Sequence, residues 1–398
     1  MSEGFTRGSP EYRRVSIALF AAGFATFALL YCVQPLMPLF ADGFGLNPAD
    51  SSFALSLSTA ALALSLLAAG ALADRVGRKT LMTASLFASA ALTMIAALAP
   101  NWPSLLIART LLGIALAGVP AIAMTYLAEE AKAEALGSIM GLYVGGTAVG
   151  GMSGRLLSGL LADFIGDWRM AVGGVGLAGL AAAVVFVKLL PPSRRFRARA
   201  DLTVRQQVHD YAASLRTPGL PWLLVCGFCL MGGFVTLYNY VGFRLLEAPF
   251  HLSHAAVALI FLVYLAGVPA SPLFGSLGGR LGRGTVLAGA ALLIAAGAAL
   301  TLSTNVALIV LGVALVTAGF FGGHALASGW VGRLAGPAKA QAASLYLLFY
   351  YLGSSVVGSS GGHVFSAIGW GGLVALVAGL AALVLTTAWR LDVTERRL

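Results

Sequence analysis

Long apolar segments, separated by short stretches of charged or turn-forming residues, follow one another along almost the whole chain. Each is close to the length of about 20 residues that a helix needs to cross the hydrocarbon core of a membrane. Backbone groups in lipid must be paired within a helix or a closed barrel, and these segments lack the polar–apolar alternation of barrel strands. The pattern predicts an all-α integral membrane protein with twelve transmembrane helices. The predicted segments are 15–40, 50–72, 80–99, 103–128, 136–163, 168–190, 219–243, 254–278, 284–303, 306–331, 340–363 and 368–390.

A short polar motif occurs twice, 205 positions apart. Residues 70–79 read GALADRVGRK and residues 275–284 read GSLGGRLGRG. The first copy connects the second and third segments, and the second copy connects the eighth and ninth. The repetition predicts two pseudo-symmetric six-helix halves, residues 1–190 and 219–398, joined by a linker at 191–218.

The linker is the one long polar stretch between the apolar segments. It begins with several arginines, which favour an anionic membrane surface. Apolar residues then recur at helical spacing and predict a short amphipathic helix, either on the membrane surface or against the helix bundle. These residues are Val204, Val208, Tyr211, Ala212 and Leu215. A covalent tether between the halves is the simplest role, and regulation is the alternative.

Composition and charge exclude a water-soluble globule, because 59% of the 398 residues are hydrophobic and 10% are charged. The net charge of +10 arises mainly from Lys and Arg at alternate ends of the segments. The positive-inside rule assigns these ends, and with them both termini, to the cytoplasm. A nucleic-acid partner is not expected, since the chain has no soluble basic face. Cys32, Cys226 and Cys229 lie in apolar surroundings and are interpreted as packing residues, so we expect neither metal nor cofactor.

The first copy of the motif is interpreted as a conformational latch. Gly70 and Gly77 would allow a close helix approach and a tight turn, and Asp74 ends the second segment. The carboxylate of Asp74 would be stabilised at the N-terminus of the eleventh segment, on the same side of the membrane, in the outward-open state. Glu129 and Glu130 are counter-charges for Arg75 or Arg78. Positive-inside topology alone is the alternative, although it explains the arginines and not the aspartate or glycines.

These motifs resemble those of the major facilitator superfamily over nearly the whole chain. GALADRVGRK matches the family signature between its second and third helices, and Arg109, Gly113 and Gly118 resemble its Arg-containing fourth helix. The stretch GLYVGGTAVGGMSGRLLSGLLAD at 141–163 resembles the glycine-rich fifth helix of the drug/proton antiporter branch. The usual Gly-Pro is missing there, so the resemblance is nearest to bacterial arabinose and drug efflux proteins.

The resemblance implies a multi-pass transporter of the bacterial cytoplasmic (inner) membrane that works by alternating access, with the latch role given above to Asp74. We expect a proton-coupled exporter of small organic compounds, either drugs or metabolites. The alternative is a facilitator or importer of a sugar or small organic anion. The expected partners are a small-molecule substrate, protons and membrane lipid, and the expected state is a monomer. An enzyme is not expected, because the sequence shows no paired catalytic acids, nucleophile arrangement or metal cluster, and no GxxxxGK[ST] nucleotide loop.

Charged residues within the segments are few, and a charge kept in a membrane usually serves a function. All fifteen acidic residues fall at segment ends, in loops or in tails, whereas Arg109, Arg155 and His324 fall inside segments. Each arginine either reaches outward to water, forms structural hydrogen bonds or lines the transport cavity. If both line the cavity, its positive field favours anionic or neutral polar substrates.

Polar and aromatic side chains from several helices are expected to line the substrate pocket, with helix packing as the alternative for each. The assigned residues are Tyr31, Gln34, Arg109, Tyr143, Arg155, Asn239, Tyr346 and Tyr350. For proton coupling we assign His324, whose ordinary titration lies nearest neutrality, and its rivals Asp42 and Asp163. Packing within an apolar helix is the alternative for His324.

Overall fold

The computed structural model describes residues 5–6, 8–193 and 204–395, so the arginines that begin the linker lie outside the described residues. All regular secondary structure in the described residues is helical, and the one backbone pairing of strand type is an isolated bridge between Phe5 and Ala131. Its α-helices, in chain order, are α1 Pro10–Tyr31, α2 Met37–Phe44, α3 Pro48–Ser51, α4 Phe53–Val76, α5 Arg78–Ala97, α6 Trp102–Leu116, α7 Pro120–Glu130, α8 Ala133–Ile165, α9 Trp168–Leu189, α10 Val204–Leu215, α11 Leu220–Leu246, α12 His254–Ile260, α13 Gly267–Leu281, α14 Arg283–Leu300, α15 Val306–Leu334, α16 Lys339–Ile368 and α17 Trp370–Glu395.

Eleven helical segments of the described chain are long and apolar enough to cross a membrane. The remaining predicted span, the fourth, consists of the shorter apolar helix α6 followed by α7. Every predicted apolar segment is therefore helical, and the all-α, twelve-helix membrane architecture is confirmed.

Three of the predicted spans are interrupted, which the hydrophobic pattern does not indicate. A 3₁₀ turn at Gln34–Leu36 separates α1 from α2, and another at Phe261–Ala266 separates α12 from α13. The fourth span breaks between Leu116 and Pro120. Proline accounts for the interruptions at Gln34–Leu36 and Pro120, because its nitrogen cannot donate the hydrogen bond that continues an α-helix.

The chain folds into two compact units, Met1–Leu36 with Leu64–Leu202 and Met37–Ala63 with Thr203–Leu398. The end of the first span and the beginning of the second therefore belong to the same unit as the C-terminal helices. There, the Ser355 hydroxyl donates to the Ser56 carbonyl oxygen (2.8 Å). The two halves expected from the repeat remain a prediction.

Glycine brings the main helices of the first unit into backbone contact. Along α8, Gly146, Gly150 and Gly154 face Phe20, Phe24 and Ala28 of α1, four residues apart in each case. A Cβ at Gly150 would overlap the Phe24 carbonyl group. This spacing is the small-xxx-small pattern by which membrane helices pack closely.

Glycine also allows close backbone contact between α11 and α16 in the second unit, where a Cβ at Gly353 would overlap the Phe228 carbonyl group. The described part of the linker forms α10, in the stretch where the sequence predicts a short helix. It lies against the bundle, since Tyr211 forms a hydrogen bond with Ser344. Burial raises the pKa of the Tyr211 hydroxyl, and the bond to Ser344 lowers it in part.

Candidate functional site

The end of α1 is held by a buried arginine from the fourth span. Arg109 is 0% exposed, and its guanidinium donates to the carbonyl oxygens of Leu29 (2.9 Å) and Leu30 (2.5 Å). Carbonyl groups in the last turn of a helix lack donors within that helix and carry the negative end of its dipole. Arg109 therefore caps the helix at the point where the first span breaks.

A second buried arginine contacts the residues of the break itself. Arg155 is 0% exposed, donates from Nε to Gln34 Oε1 (2.5 Å) and lies over the Tyr31 ring at 4.1 Å from its centroid. Its Nη1 also donates to the Gly151 carbonyl oxygen (2.6 Å). One turn along α8, the Ser158 hydroxyl donates to the Cys32 carbonyl oxygen (2.6 Å). The structure thus brings together three residues predicted for the substrate pocket, Tyr31, Gln34 and Arg155.

The possibility that Arg109 and Arg155 reach outward to water is wrong, because both side chains are fully enclosed. Both arginine side chains are long enough to reach water at the membrane surface. They instead donate to carbonyl and amide oxygens at the break in the first span. Both guanidinium groups are stabilised by neutral oxygen atoms of the first unit. Guanidinium groups remain charged at all physiological pH values, so this part of the unit is strongly electropositive.

The second unit brings two further predicted residues, Tyr346 and Tyr350, next to His324. Its Nδ1 lies 3.0 Å from the Tyr346 hydroxyl, and its ring centroid lies 4.7 Å from that of Tyr350. The ring of Phe320, one turn earlier on α15, is almost parallel to that of His324, at 6.0 Å and 11°. His324 keeps part of its surface exposed, whereas Phe320 and Tyr346 are buried. The predicted coupling residue and two predicted substrate residues therefore form one cluster.

Sequence reasoning missed Phe320, and also Phe234 of α11, whose ring stacks on that of Phe320 at 3.9 Å and 10°. Phe320 precedes His324 by four residues, a spacing that places two side chains on the same face of a helix. That spacing was the available signal for Phe320. No local signal marks Phe234, because its neighbours along α11 are equally apolar.

Two predicted pocket residues lie away from both groups. Tyr143 is part of the hydrophobic core that also contains Leu19 and Tyr126. It precedes Arg155 by twelve residues, or about 18 Å along α8. Asn239 is buried on α11 next to Gly358 of α16, twelve residues beyond the level at which Gly227 contacts Tyr346. The rival coupling residues Asp42 and Asp163 are both exposed, near the ends of α2 and α8.

Three of the predicted latch residues, Asp74, Gly77 and Glu129, lie next to Arg78, which is 8% exposed at the start of α5. Its guanidinium forms ion pairs with Asp74 (2.7 Å) and Glu129 (2.9 Å). Gly77 adopts a φ of +94°, which L-residues with a side chain avoid, and so provides the expected tight turn. Glu129 is thus a counter-charge for Arg78, as expected.

Three other latch residues have different surroundings. Gly70 does not serve a close approach here, because no neighbouring atom among the described residues lies within 4 Å of a Cβ built on it. Arg75 is exposed. Glu130 is 7% exposed, and its carbonyl oxygen accepts from the Phe5 backbone nitrogen (3.2 Å), which ties the N-terminal segment to the end of α7.

The chain matches one protein family model and has relatives among known proteins. The family model described as Major Facilitator Superfamily matches residues 19–247. The inner membrane transport protein YnfM of Escherichia coli (strain K12) is 45% identical over 385 residues, covering 97% of this chain and 92% of that protein. The multidrug resistance protein MdtG of Proteus mirabilis (strain HI4320) is 27% identical over 289 residues, covering 66% of this chain and 67% of that protein.

The fold has a close counterpart among solved structures. A bacterial homologue of the human lysosomal transporter Spinster, in an inward-facing and occupied conformation, superposes with a TM-score of 0.76. The alignment covers 98% of each chain at 14% sequence identity, and at that identity it shows the fold alone.

Proposed function

The chain belongs to the major facilitator superfamily and is a membrane transporter, and we propose that it exports small organic compounds in exchange for protons. The observation that carries this proposal is the contact between His324 and Tyr346 within the described part of the second unit. A histidine inside a membrane span is costly to keep, and it is the side chain best suited to gain and lose a proton near neutral pH. Asp42 and Asp163 remain rival coupling residues.

Export is the proposed direction for two reasons. The glycine-rich α8 resembles the fifth helix of drug/proton antiporters, and its glycines lie directly against the α1 backbone. The relative MdtG carries the name of a multidrug resistance protein. Close, smooth helix surfaces allow helices to move past one another during alternating access.

The substrate is proposed to be neutral or anionic. A permanent cation would be repelled by Arg109 and Arg155, which are both buried in the first unit and contact residues at or beside the break in span one. None of the fifteen acidic residues occupies the middle of an apolar segment, where a carboxylate would attract a cation. The same two arginines favour the alternative function, a facilitator or importer of a sugar or small organic anion.

The proposed location is a bacterial inner membrane, which is also the location stated in the name of YnfM. Both termini are proposed to be cytoplasmic, because most Lys and Arg residues lie at the membrane side that the termini share. We further propose that the transporter is a monomer, that Asp74, Arg78 and Glu129 form its latch, and that it requires no cofactor.

A transport screen in proteoliposomes tests this proposal. Purified full-length protein is reconstituted, a pH gradient is imposed, and the accumulation of neutral, anionic and cationic organic compounds is followed. Concentration of at least one neutral or anionic compound against its gradient, driven by pH alone, supports proton-coupled export. Equilibration without accumulation, unchanged by the pH gradient, would instead establish the facilitator.

A further inference from the structure

The eighth span contains a 3₁₀ turn of six residues, Phe261–Ala266, between α12 and α13. Runs of 3₁₀ helix longer than three or four residues are uncommon, and within a longer helix they often mark a functional hinge. Pro269 contributes to this geometry, because it has no N–H to donate to the Leu265 carbonyl group as an α-helix requires.

The 3₁₀ geometry places two aromatic rings on one face of the turn. Residues three apart are eclipsed in a 3₁₀ helix, whereas in an α-helix they diverge by about 60°. Phe261 and Tyr264 have this spacing, and both contact Tyr238 of α11 with ring centroids 5.5 Å apart. The Phe261 ring stacks on Tyr238 at 28°, and the Tyr264 ring meets it edge to face at 69°. In an α-helical turn the two side chains would differ in direction by about 60°, so the 3₁₀ geometry favours contact of both rings with the same partner.

These rings continue into the His324 cluster without interruption. Phe234 lies 4.7 Å from Tyr238 and 5.6 Å from Tyr264, and it stacks on Phe320 at 3.9 Å. Phe320 in turn is parallel to His324. We call this set the aromatic wall. It consists of Phe234, Tyr238, Phe261, Tyr264, Phe320, His324 and Tyr350.

We propose that the aromatic wall selects substrates that carry a planar aromatic ring, and that Phe261, which stacks on Tyr238, occupies in the present structure the position that a substrate ring takes. The proposal rests on the proposed transport function and names its substrate class. Conversion of the 3₁₀ turn to α-helix would rotate Phe261 relative to Tyr264 by about 60° and so free the face of the Tyr238 ring that Phe261 now covers. Access is through His324, the member of the wall that keeps part of its surface exposed among buried rings.

A planar ring fits this wall better than a saturated ring of equal size for a physical reason. Aromatic faces attract each other through dispersion and through their quadrupoles, and stacked and edge-to-face pairs are both favourable. The wall offers both arrangements, with parallel rings at Phe234 and Phe320 and an edge at Tyr264. A saturated ring obtains the apolar contact but not this further attraction.

Matched pairs of ligands test the proposal with purified full-length protein in detergent. The pairs are benzoate with cyclohexanecarboxylate, phenol with cyclohexanol, and benzamide with cyclohexanecarboxamide, so that charge and size are nearly constant within each pair. Binding is measured by isothermal titration calorimetry. We expect the aromatic member of at least one pair to bind about two- to tenfold more tightly.

Variants connect this preference to the wall. Phe320→Leu and Tyr264→Leu should abolish it, whereas Tyr264→Phe, which keeps the ring, should retain it. Phe365→Leu is the matched control, because Phe365 stacks on Tyr240 in a different aromatic group of the same unit. If Phe320→Leu fails to fold, the two Tyr264 variants still decide the question.

Equal affinity within all three pairs overturns the proposal, as does the absence of binding by every aromatic ligand. A preference that survives both leucine substitutions also overturns it. These measurements use no pH gradient, so they are independent of coupling and direction of transport. Gradient-driven accumulation without any ring preference would leave the proposed function intact and refute the aromatic wall alone.

Discussion

Arg78 and Arg283 are the first residues of α5 and α14, the helices that begin within the two copies of the motif. The two arginines pair with carboxylates from different parts of the fold. Each directly follows a glycine with positive φ, +94° at Gly77 and +89° at Gly282. Arg78 pairs with Asp74, one turn before it, and with Glu129 at the end of α7. The Arg283 Nη1 instead lies 2.5 Å from Glu395 Oε1 at the end of α17.

The two copies therefore share their backbone geometry and not their charges. The position equivalent to Asp74 is Gly279, so the second copy lacks the local carboxylate. The end of α17 supplies a substitute. A conformational latch that depends on Asp74 would accordingly act through the first copy alone.

Replacement of Asp74 by Asn is expected to lower the transport rate while leaving expression and folding nearly unchanged. The contact is near a helix end and partly exposed, with a value of about 0.3–1 kcal/mol, enough to shift conformational populations but not to unfold the protein. Transport in proteoliposomes is the measurement. Glu134→Gln, which removes an exposed carboxylate in the first turn of α8, is the control. A wild-type rate in the Asn variant would refute the latch.

Replacement of Arg109 is expected to destabilise the protein whatever its substrate. Arg109→Ala leaves the carbonyl groups of Leu29 and Leu30 without the guanidinium that caps them, and a hydrogen bond to a charged group contributes about 1.5–3 kcal/mol. Arg109→Lys should restore little, because one ammonium cannot reproduce the planar fork. The melting temperature in detergent is the measurement. A Lys variant with the wild-type melting temperature would show that the positive charge, and not the planar geometry of the guanidinium, stabilises the break in span one.

Two glycines on α8 should respond differently to replacement by alanine. Gly150→Ala inserts a methyl group into the Phe24 backbone, forces α1 and α8 apart and should cost about 1–3 kcal/mol. Gly145→Ala meets no described atom within 4 Å and should be neutral or stabilising by up to about 1 kcal/mol. Melting temperature and transport are compared for both. Similar behaviour of the two variants would contradict the close packing of α1 on α8.

Replacement of Arg155 is expected to weaken binding of neutral or anionic substrates. Arg155→Ala removes the group that orients Gln34 and covers Tyr31, together with one of the two buried positive charges. Affinity for a compound found by the proteoliposome screen is the measurement, and a Gln34→Ala variant tests the same contact from the other side. Strong efflux of a quaternary ammonium dye, unaffected by either substitution, would argue against the proposed substrate charge.

Replacement of His324 is expected to separate proton coupling from substrate movement. A coupling residue must alternate between protonated and neutral forms, so His324→Gln should abolish pH-driven accumulation but spare substrate exchange at equal pH. Tyr346→Phe removes the hydroxyl group that contacts Nδ1 and should alter the pH dependence without abolishing exchange. If His324→Gln, Asp42→Asn and Asp163→Asn all still accumulate substrate, coupling runs through other groups.

The sequence identifies many residues of the candidate site one by one, but it does not indicate which of them are in contact. Gln34 and Arg155 are 121 positions apart and stand out as polar residues in apolar segments, yet nothing local indicates that they touch. Tyr143 and Tyr346 look alike in sequence, and one belongs to a core while the other contacts His324. Helical periodicity gives the relative direction of side chains on one helix and is silent about which helix they face.

By itself the sequence determined the membrane class, the twelve helices and the repeat, because bilayer thickness and backbone pairing constrain each segment locally. It also determined which charges lie within those segments. Only the tertiary structure decided that Arg109 caps α1, that Arg155 meets Gln34, and that a 3₁₀ turn aims Phe261 and Tyr264 at Tyr238. These relationships join residues far apart in the chain, and their geometry depends on how helices pack and where they break, which no local pattern encodes.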